Sequence, residues 1–211
     1  ADNNTAIGHM ALKLTTTGAN NTAVGSLSGD AITTGAQNTV LGSGALSALT
    51  TATRNTAVGY LALAAATNDD NTAVGTQALG NNTSGYYNVG LGYLAGGAIT
   101  TGNSNTAIGT FALDAVTTVS QLTAIGHAAL GANTSGTGNV AVGYLAGTTL
   151  TTAVNTTAVG YEALTALTTG NNNTAVGKEA AEAITTGADN TAIGKGSLAA
   201  TTTANSNTAV G

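Results

Sequence analysis

Cysteine, proline and tryptophan are missing from this chain of 211 residues, and phenylalanine and methionine occur once each. Without cysteine there are no disulfides, no thiolate metal ligands and no thiol nucleophile, and no compartment is excluded. The lack of proline fits a backbone whose N–H groups are nearly all used in ladders. With so few large side chains a thick core cannot be filled, whereas a thin one lined by Ala, Val, Ile, Leu and Thr can. Charged residues make up only 6%, against roughly 25% in ordinary domains. Four basic side chains in a net charge of −5 offer no basic patch, so nucleic acid is not an expected partner. No apolar run approaches the ~18 residues of a membrane span, and membrane insertion is not expected.

What the chain has is a period. Asn21-Thr22-Ala23-Val24-Gly25 returns as Asn207-Thr208-Ala209-Val210-Gly211, and the closing glycine recurs every 17 residues from Gly8 onward, except for one step of 16 between Gly59 and Gly75. Self-similarity of this kind signals a stacked architecture. Counting offsets from each glycine, offset 3 is Ala or Ser, offset 4 is mostly Leu or Gly, and offset 8 is Thr in every repeat. Offset 13 is Asn except at Leu122 and Thr156; offset 15 is nearly always Ala; offset 16 is always Val, Ile or Leu. The short repeat loses its residue in the bend Asn68-Asp69-Asp70-Asn71, where a deletion costs least.

The expected fold is all-β: a parallel β-solenoid, of β-roll or β-helix type, with about twelve 17-residue coils in one domain over 1–211. Adjacent coils then lie ~4.8 Å apart. Each coil is expected to carry a β-branched strand such as Asn173-Thr174-Ala175-Val176 and a weaker one around Tyr161-Glu162-Ala163-Leu164. The offset 16 aliphatics are expected to face the dry interior. The Ala row at offset 15, pointing the opposite way, would then be a second covered surface, against the coil's other wall or a neighbouring chain. The Asn row, including Asn21, Asn38, Asn55, Asn105, Asn173 and Asn190, reads as a structural ladder or a row of αL turn residues. Because the repeat is already in phase at Ala1, the chain is expected to be a segment of a longer fibre protein.

The string Asn173-Thr174-Ala175-Val176-Gly177, preceded by Gly160-Tyr161-Glu162-Ala163-Leu164-Thr165-Ala166-Leu167-Thr168-Thr169-Gly170, resembles the repeats of phage and bacterial tail-fibre-like proteins, which often precede an S74-type chaperone domain. More distantly, Asn139-Val140-Ala141-Val142-Gly143 is similar to the coils of YadA-type trimeric adhesin heads. The resemblance implies a homotrimeric extracellular fibre, at the cell surface or on a virion, that spaces or displays a binding tip.

No enzyme is expected. His9 and His127 share offset 1 but lie seven coils apart, over 30 Å at ~4.8 Å per coil, too far for one metal or catalytic site. Asp69 and Asp70 are neighbours on a bend and do not converge as a glycosidase pair would. No cofactor or metal is expected. Exposed tyrosines on a rigid platform could stack on sugar rings: Tyr60, Tyr93, Tyr144 and Tyr161 at offset 1, and Tyr86-Tyr87 at a bend, are the candidate contacts to a cell-surface glycan or receptor, against the plainer reading that they cap the edge of a narrow core. The leading expectation is the shaft of an attachment fibre that assembles with itself, as a homotrimer or an end-to-end filament. The alternative is an ice-binding Thr-rich solenoid, weakened because offsets 8 and 9 are consecutive and their side chains diverge.

Overall fold

The computed structural model describes residues 2–211. Thirteen strands of three residues each run from β1 (Thr5–Ile7) and β2 (Thr22–Val24) through β10 (Thr157–Val159) and β11 (Thr174–Val176) to β13 (Thr208–Val210). They form one sheet, every strand parallel to and paired with the next, in the order of the sequence. The register keeps like with like: Thr157, Ala158 and Val159 lie opposite Thr174, Ala175 and Val176. The fold is a β-solenoid in which each repeat is one coil, and there is no helix among the described residues.

Three features differ from expectation. The first is the facing of the strands. In every strand but the first and last the central residue is buried, and the two flanking residues are partly or fully exposed. The Ala row at offset 15 therefore faces the core, and the Val/Ile/Leu row at offset 16 faces out, with Val176 at 37% and Leu41 at 40% exposure. A one-residue error of assignment inverts a strand completely, because its side chains alternate. The physical reason for small residues inside lies across the coil. A Cβ placed on Gly90, at offset 15, would stand 2.8 Å from the Leu79 side chain at offset 4. Leucine from offset 4 fills the space that a large strand residue would need. In one of the three coils with glycine at offset 4, that of Gly29, offset 15 is the larger Val40; those of Gly96 and Gly147 keep Ala107 and Ala158.

The second difference is that each coil has one strand, not two. The stretch Tyr161–Leu164 is a run of turns, with positive φ at Glu162 (53°) and Leu164 (52°). Left-handed backbone at offset 4 explains its composition of Leu, Gly and one Ala, since β-branched side chains are least compatible with that region. The third is the turn role expected of the Asn row. The αL residue before the strand is at offset 12, as in Asn20 (φ 57°) and Asn172 (φ 57°), one position before the ladder.

The organising glycines adopt φ between 117° and 141°, a conformation essentially closed to other residues. Space forbids a side chain as well: a Cβ on Gly25 would lie 2.8 Å from the carbonyl of Gly42 in the next coil.

At offset 13 the Asn side chains are buried in the interior coils and form runs of hydrogen bonds broken after Leu122 and Thr156. Asn38 N–H donates to Asn21 Oδ1 at 3.0 Å, and Asn38 Nδ2 donates to the same oxygen at 3.0 Å and to the Ala52 carbonyl at 3.0 Å. Asn88, Asn105 and Asn190 repeat the backbone-to-Oδ1 bond with their predecessors. Within each run the row ties a coil to the one before it and the one after. Offset 8 supplies a second ladder at the surface. The hydroxyl of Thr33 donates to the Thr50 carbonyl at 3.0 Å, and Thr100, Thr168 and Thr185 do likewise with Thr117, Thr185 and Thr202.

Two coils carry a defect in this scheme, at offset 7, a position taken by Leu150 and Leu167 in other coils. Asn82 is buried with Nδ2 unpaired, its Oδ1 accepting from the Gly85 N–H; Asn133 is buried, and neither its Oδ1 nor its Nδ2 has a partner. A buried unpaired amide costs about 1–3 kcal/mol. Asn133→Leu is therefore expected to raise stability by about that amount, read as a higher midpoint in chemical denaturation; a lower midpoint would show that the amide is satisfied in solution.

Candidate functional site

Three surfaces carry chemistry. The first is the outer face of the sheet. Offsets 14 and 16 flank the inward Ala and share one side of the strand. Offset 14 is Thr except at Val89 and Val140, offset 16 is aliphatic throughout, and neither row contains a charge. The result is a flat stripe of Thr beside Val/Ile/Leu along the rod, repeating at the ~4.8 Å spacing of paired strands. By contrast, the Thr row at offset 8 spends its hydroxyls on neighbouring carbonyls, so it offers no free array. That ladder was not foreseen from the sequence; its signal was the presence of Thr in every repeat.

The second surface is the row at offset 1. His127, Tyr144 and Tyr161 stack with centroids 5.3 Å apart and planes within 19° and 14° of parallel. Phe111, at offset 2, joins them edge-on between Tyr93 (5.5 Å) and His127 (6.1 Å). Lys178 Nζ lies 5.5 Å over the Tyr161 ring and 3.0 Å from Glu179, whose hydrogen bond and charge push the Lys178 pKa up. The stack extends along one edge for several coils. It turns the faces of Tyr144 and Tyr161 toward neighbouring side chains, leaving edges and hydroxyls for a ligand. Tyr60 stands exposed, apart from the stack. His9 is in the first coil and takes no part in it.

The third surface forms where the 16-residue repeat interrupts the rod. Restarting the count after the missing residue places Arg54, Asp70 and Tyr87 in one row at offset 12, all with αL backbone (φ 59°, 61° and 57°). Thr53, Asp69 and Tyr86 form the adjoining row. Arg54 is the chain's one arginine and holds Asp70 with two bonds, Nε to Oδ1 at 2.6 Å and Nη2 to Oδ2 at 2.8 Å. That hydrogen bonding, with the guanidinium charge, keeps the Asp70 carboxyl below its ordinary pKa and raises that of Arg54. Asp69 Oδ1 accepts from the Thr53 N–H at 2.7 Å, and its Oδ2 lies 3.5 Å from Arg54 Nη2. Tyr86 and Tyr87 meet edge to face at 5.1 Å. Arg54, Asn68, Asp69, Asp70, Tyr86 and Tyr87 line an open recess of about 270 Å³. The Asn ladder runs through the deletion, Asn71 N–H donating to Asn55 Oδ1 at 3.0 Å, but one side bond changes. Asn38 reaches a carbonyl in the bend of the next coil, Ala52, whereas Asn55 Nδ2 donates to the Thr53 carbonyl of its own coil at 3.2 Å.

Both carboxylates thus take part in holding the bend. Among the described residues there is no group of three or more His, Asp or Glu that could hold a metal ion, and no helix is long and apolar enough to cross a membrane. Comparison with protein-family models, with curated proteins and with solved structures finds no match to this chain.

Proposed function

We propose that this chain is the shaft of an extracellular attachment fibre, on a cell surface or a virion, and that its protomers pack side by side through the Thr/aliphatic face, most simply as a homotrimer. The observation that carries this reading is the uncharged offset 16 row, aliphatic in all thirteen strands from Ile7 to Val210 and half-buried or exposed in each. A continuous apolar stripe of that length is unusual on a free surface and marks an interaction site. A straight parallel row suits close packing of identical rods, and cyclic symmetry closes such an interface. The resemblance of the repeats to tail-fibre and adhesin coils supports the same reading. Sedimentation of the wild-type chain at micromolar concentration is expected to give a trimer. Val142→Lys with Val176→Lys, both outward, is expected to give monomers with an unchanged circular dichroism spectrum. A wild-type monomer would overturn the proposal.

One observation favours a second reading. The offset 14 threonines present side chains on a flat face at regular spacing, and such an array could order water as an ice-binding surface. The two readings use one face and exclude each other, since a buried interface meets no ice. Thermal hysteresis from a monomer, lost in Thr157→Tyr, would select ice binding.

A further inference from the structure

We infer that the recess at the short coil is a binding site for a neutral hexose unit of a glycan. The recess exists because one residue is missing. Bends before and after it have 17-residue spacing, and at offset 12 they carry Asn20, Gln37, Ser104, Asn155 and one acid, Asp189, which accepts a hydrogen bond from Asn172 of the coil before. Only around the short repeat does that row combine a cation, an acid and an aromatic ring, Arg54, Asp70 and Tyr87, backed by Asp69 and the adjacent Tyr86. The chain's one arginine and its one pair of adjacent tyrosines thus meet at the one irregular bend, around an open recess.

The chemistry of the lining selects the ligand class. Tyr86 and Tyr87 are 43% and 58% exposed. In an edge-to-face pair only one ring face is covered, so open faces remain for the C–H side of a pyranose. This separates them from Tyr144 and Tyr161, whose faces meet their neighbours. Beyond the bonds that hold the bend, the Asp69 and Asp70 carboxylates keep further acceptor lone pairs, and Asn68, whose Nδ2 donates to the Ser84 carbonyl, keeps its Oδ1, so acceptors stand side by side for vicinal hydroxyls to donate to. Arg54 is already neutralised by Asp70, and Asp69 adds a second negative charge, so an acidic sugar would meet net repulsion. The volume, about 270 Å³, suits a single ring; drug-sized ligands occupy ~300–1,000 Å³. The inference does not depend on how protomers pack, because every residue of the site comes from one chain.

The test is amide NMR titration of the folded chain with methyl α-glucoside, methyl β-galactoside and methyl α-mannoside, and with N-acetylneuraminic acid as the acidic comparator. At least one neutral glycoside is expected to give saturable shifts centred on Arg54, Asp69, Asp70, Tyr86 and Tyr87, with millimolar affinity, and the acidic sugar none. Tyr87→Asn is expected to weaken binding about tenfold, the loss of one stacking contact. Inserting one Gly between Asn68 and Asp69, which restores the 17-residue bend, is expected to abolish it. Both variants copy solutions used in other coils and should fold; Tyr60→Ala, outside the recess, should bind as wild type. The inference is overturned if no neutral glycoside saturates below about 50 mM, well beyond a millimolar Kd, if the shifts persist in both recess variants, or if the acidic sugar binds as well as the neutral ones. Sedimentation of the same samples reports the assembly state separately.

Discussion

Ala175→Glu is expected to unfold the coil that carries it. Ala175 is the central residue of β11, fully buried, and is held in register between Ala158 and Ala192. By equivalence with Gly90, which faces Leu79, its methyl group faces Leu164. A glutamate there has no room and no partner. Leaving an unpaired charge in a dry interior costs about 3–5 kcal/mol, a large part of the total stability of an ordinary domain. In a solenoid the damage spreads to both neighbours, because each repeat buries its rows only against the next. Thr169→Glu, on an exposed bend, is expected to change stability by less than about 0.5 kcal/mol. Thermal melting of both variants beside the wild type is the measurement. Equal tolerance would mean that the strand faces are reversed from those described here.

The period and the stacking were legible because glycine at the coil corner is irreplaceable: its backbone conformation and its approach to the next coil both forbid a side chain, so the spacing is written in a single residue type. The direction of the strand was harder to read. Size suggested that Val176 goes in and Ala175 out, yet the interior volume is supplied from offset 4 by residues such as Leu79 and Leu164, and the strand contributes the small partner. Exchanges within single coils hint at it: Gly29 with Val40, and Leu79 with Gly90, trade volume across the core, but Gly96 with Ala107 and Gly147 with Ala158 do not, and the contact of Gly90 with Leu79 is what settles the direction. The Asn row was read as either a ladder or a row of left-handed turn residues; it forms the ladder, and its neighbour at offset 12 takes the left-handed turn. The recess was only half visible. Tyr86-Tyr87 stood out as a patch, and Asp69-Asp70 as adjacent acids, but Arg54 joins them only when the count is restarted after the missing residue, which puts Arg54 and Asp70 in one row 16 residues apart. A uniform period of 17 hides that pairing.

Removal of one rung from the amide ladder tests whether the Asn row holds the coils together or merely fills space. Asn38 is the choice because its contacts are complete on both sides. Its Nδ2 meets Asn21 Oδ1 and the Ala52 carbonyl, and its Oδ1 accepts the Asn55 N–H at 2.9 Å. In Asn38→Ala the Ala52 carbonyl and the Asn55 N–H both lose these partners inside a closed coil. Each unsatisfied buried group costs about 1–3 kcal/mol, so a total loss of about 2–5 kcal/mol is expected. The chain shows that a gap can be survived, since Leu122 interrupts the same row and still donates its own N–H to Asn105 Oδ1 at 3.0 Å. What Leu122 cannot supply is the acceptor for the next coil. The effect of Asn38→Ala should therefore be directional: hydrogen exchange at the Asn55 amide is expected to accelerate strongly, while the Asn38 amide keeps its bond to Asn21 Oδ1 and its protection. A midpoint within about 0.5 kcal/mol of wild type, with Asn55 still protected, would reduce the row to packing. Protection lost equally on both sides would instead point to collapse of the coil as a whole.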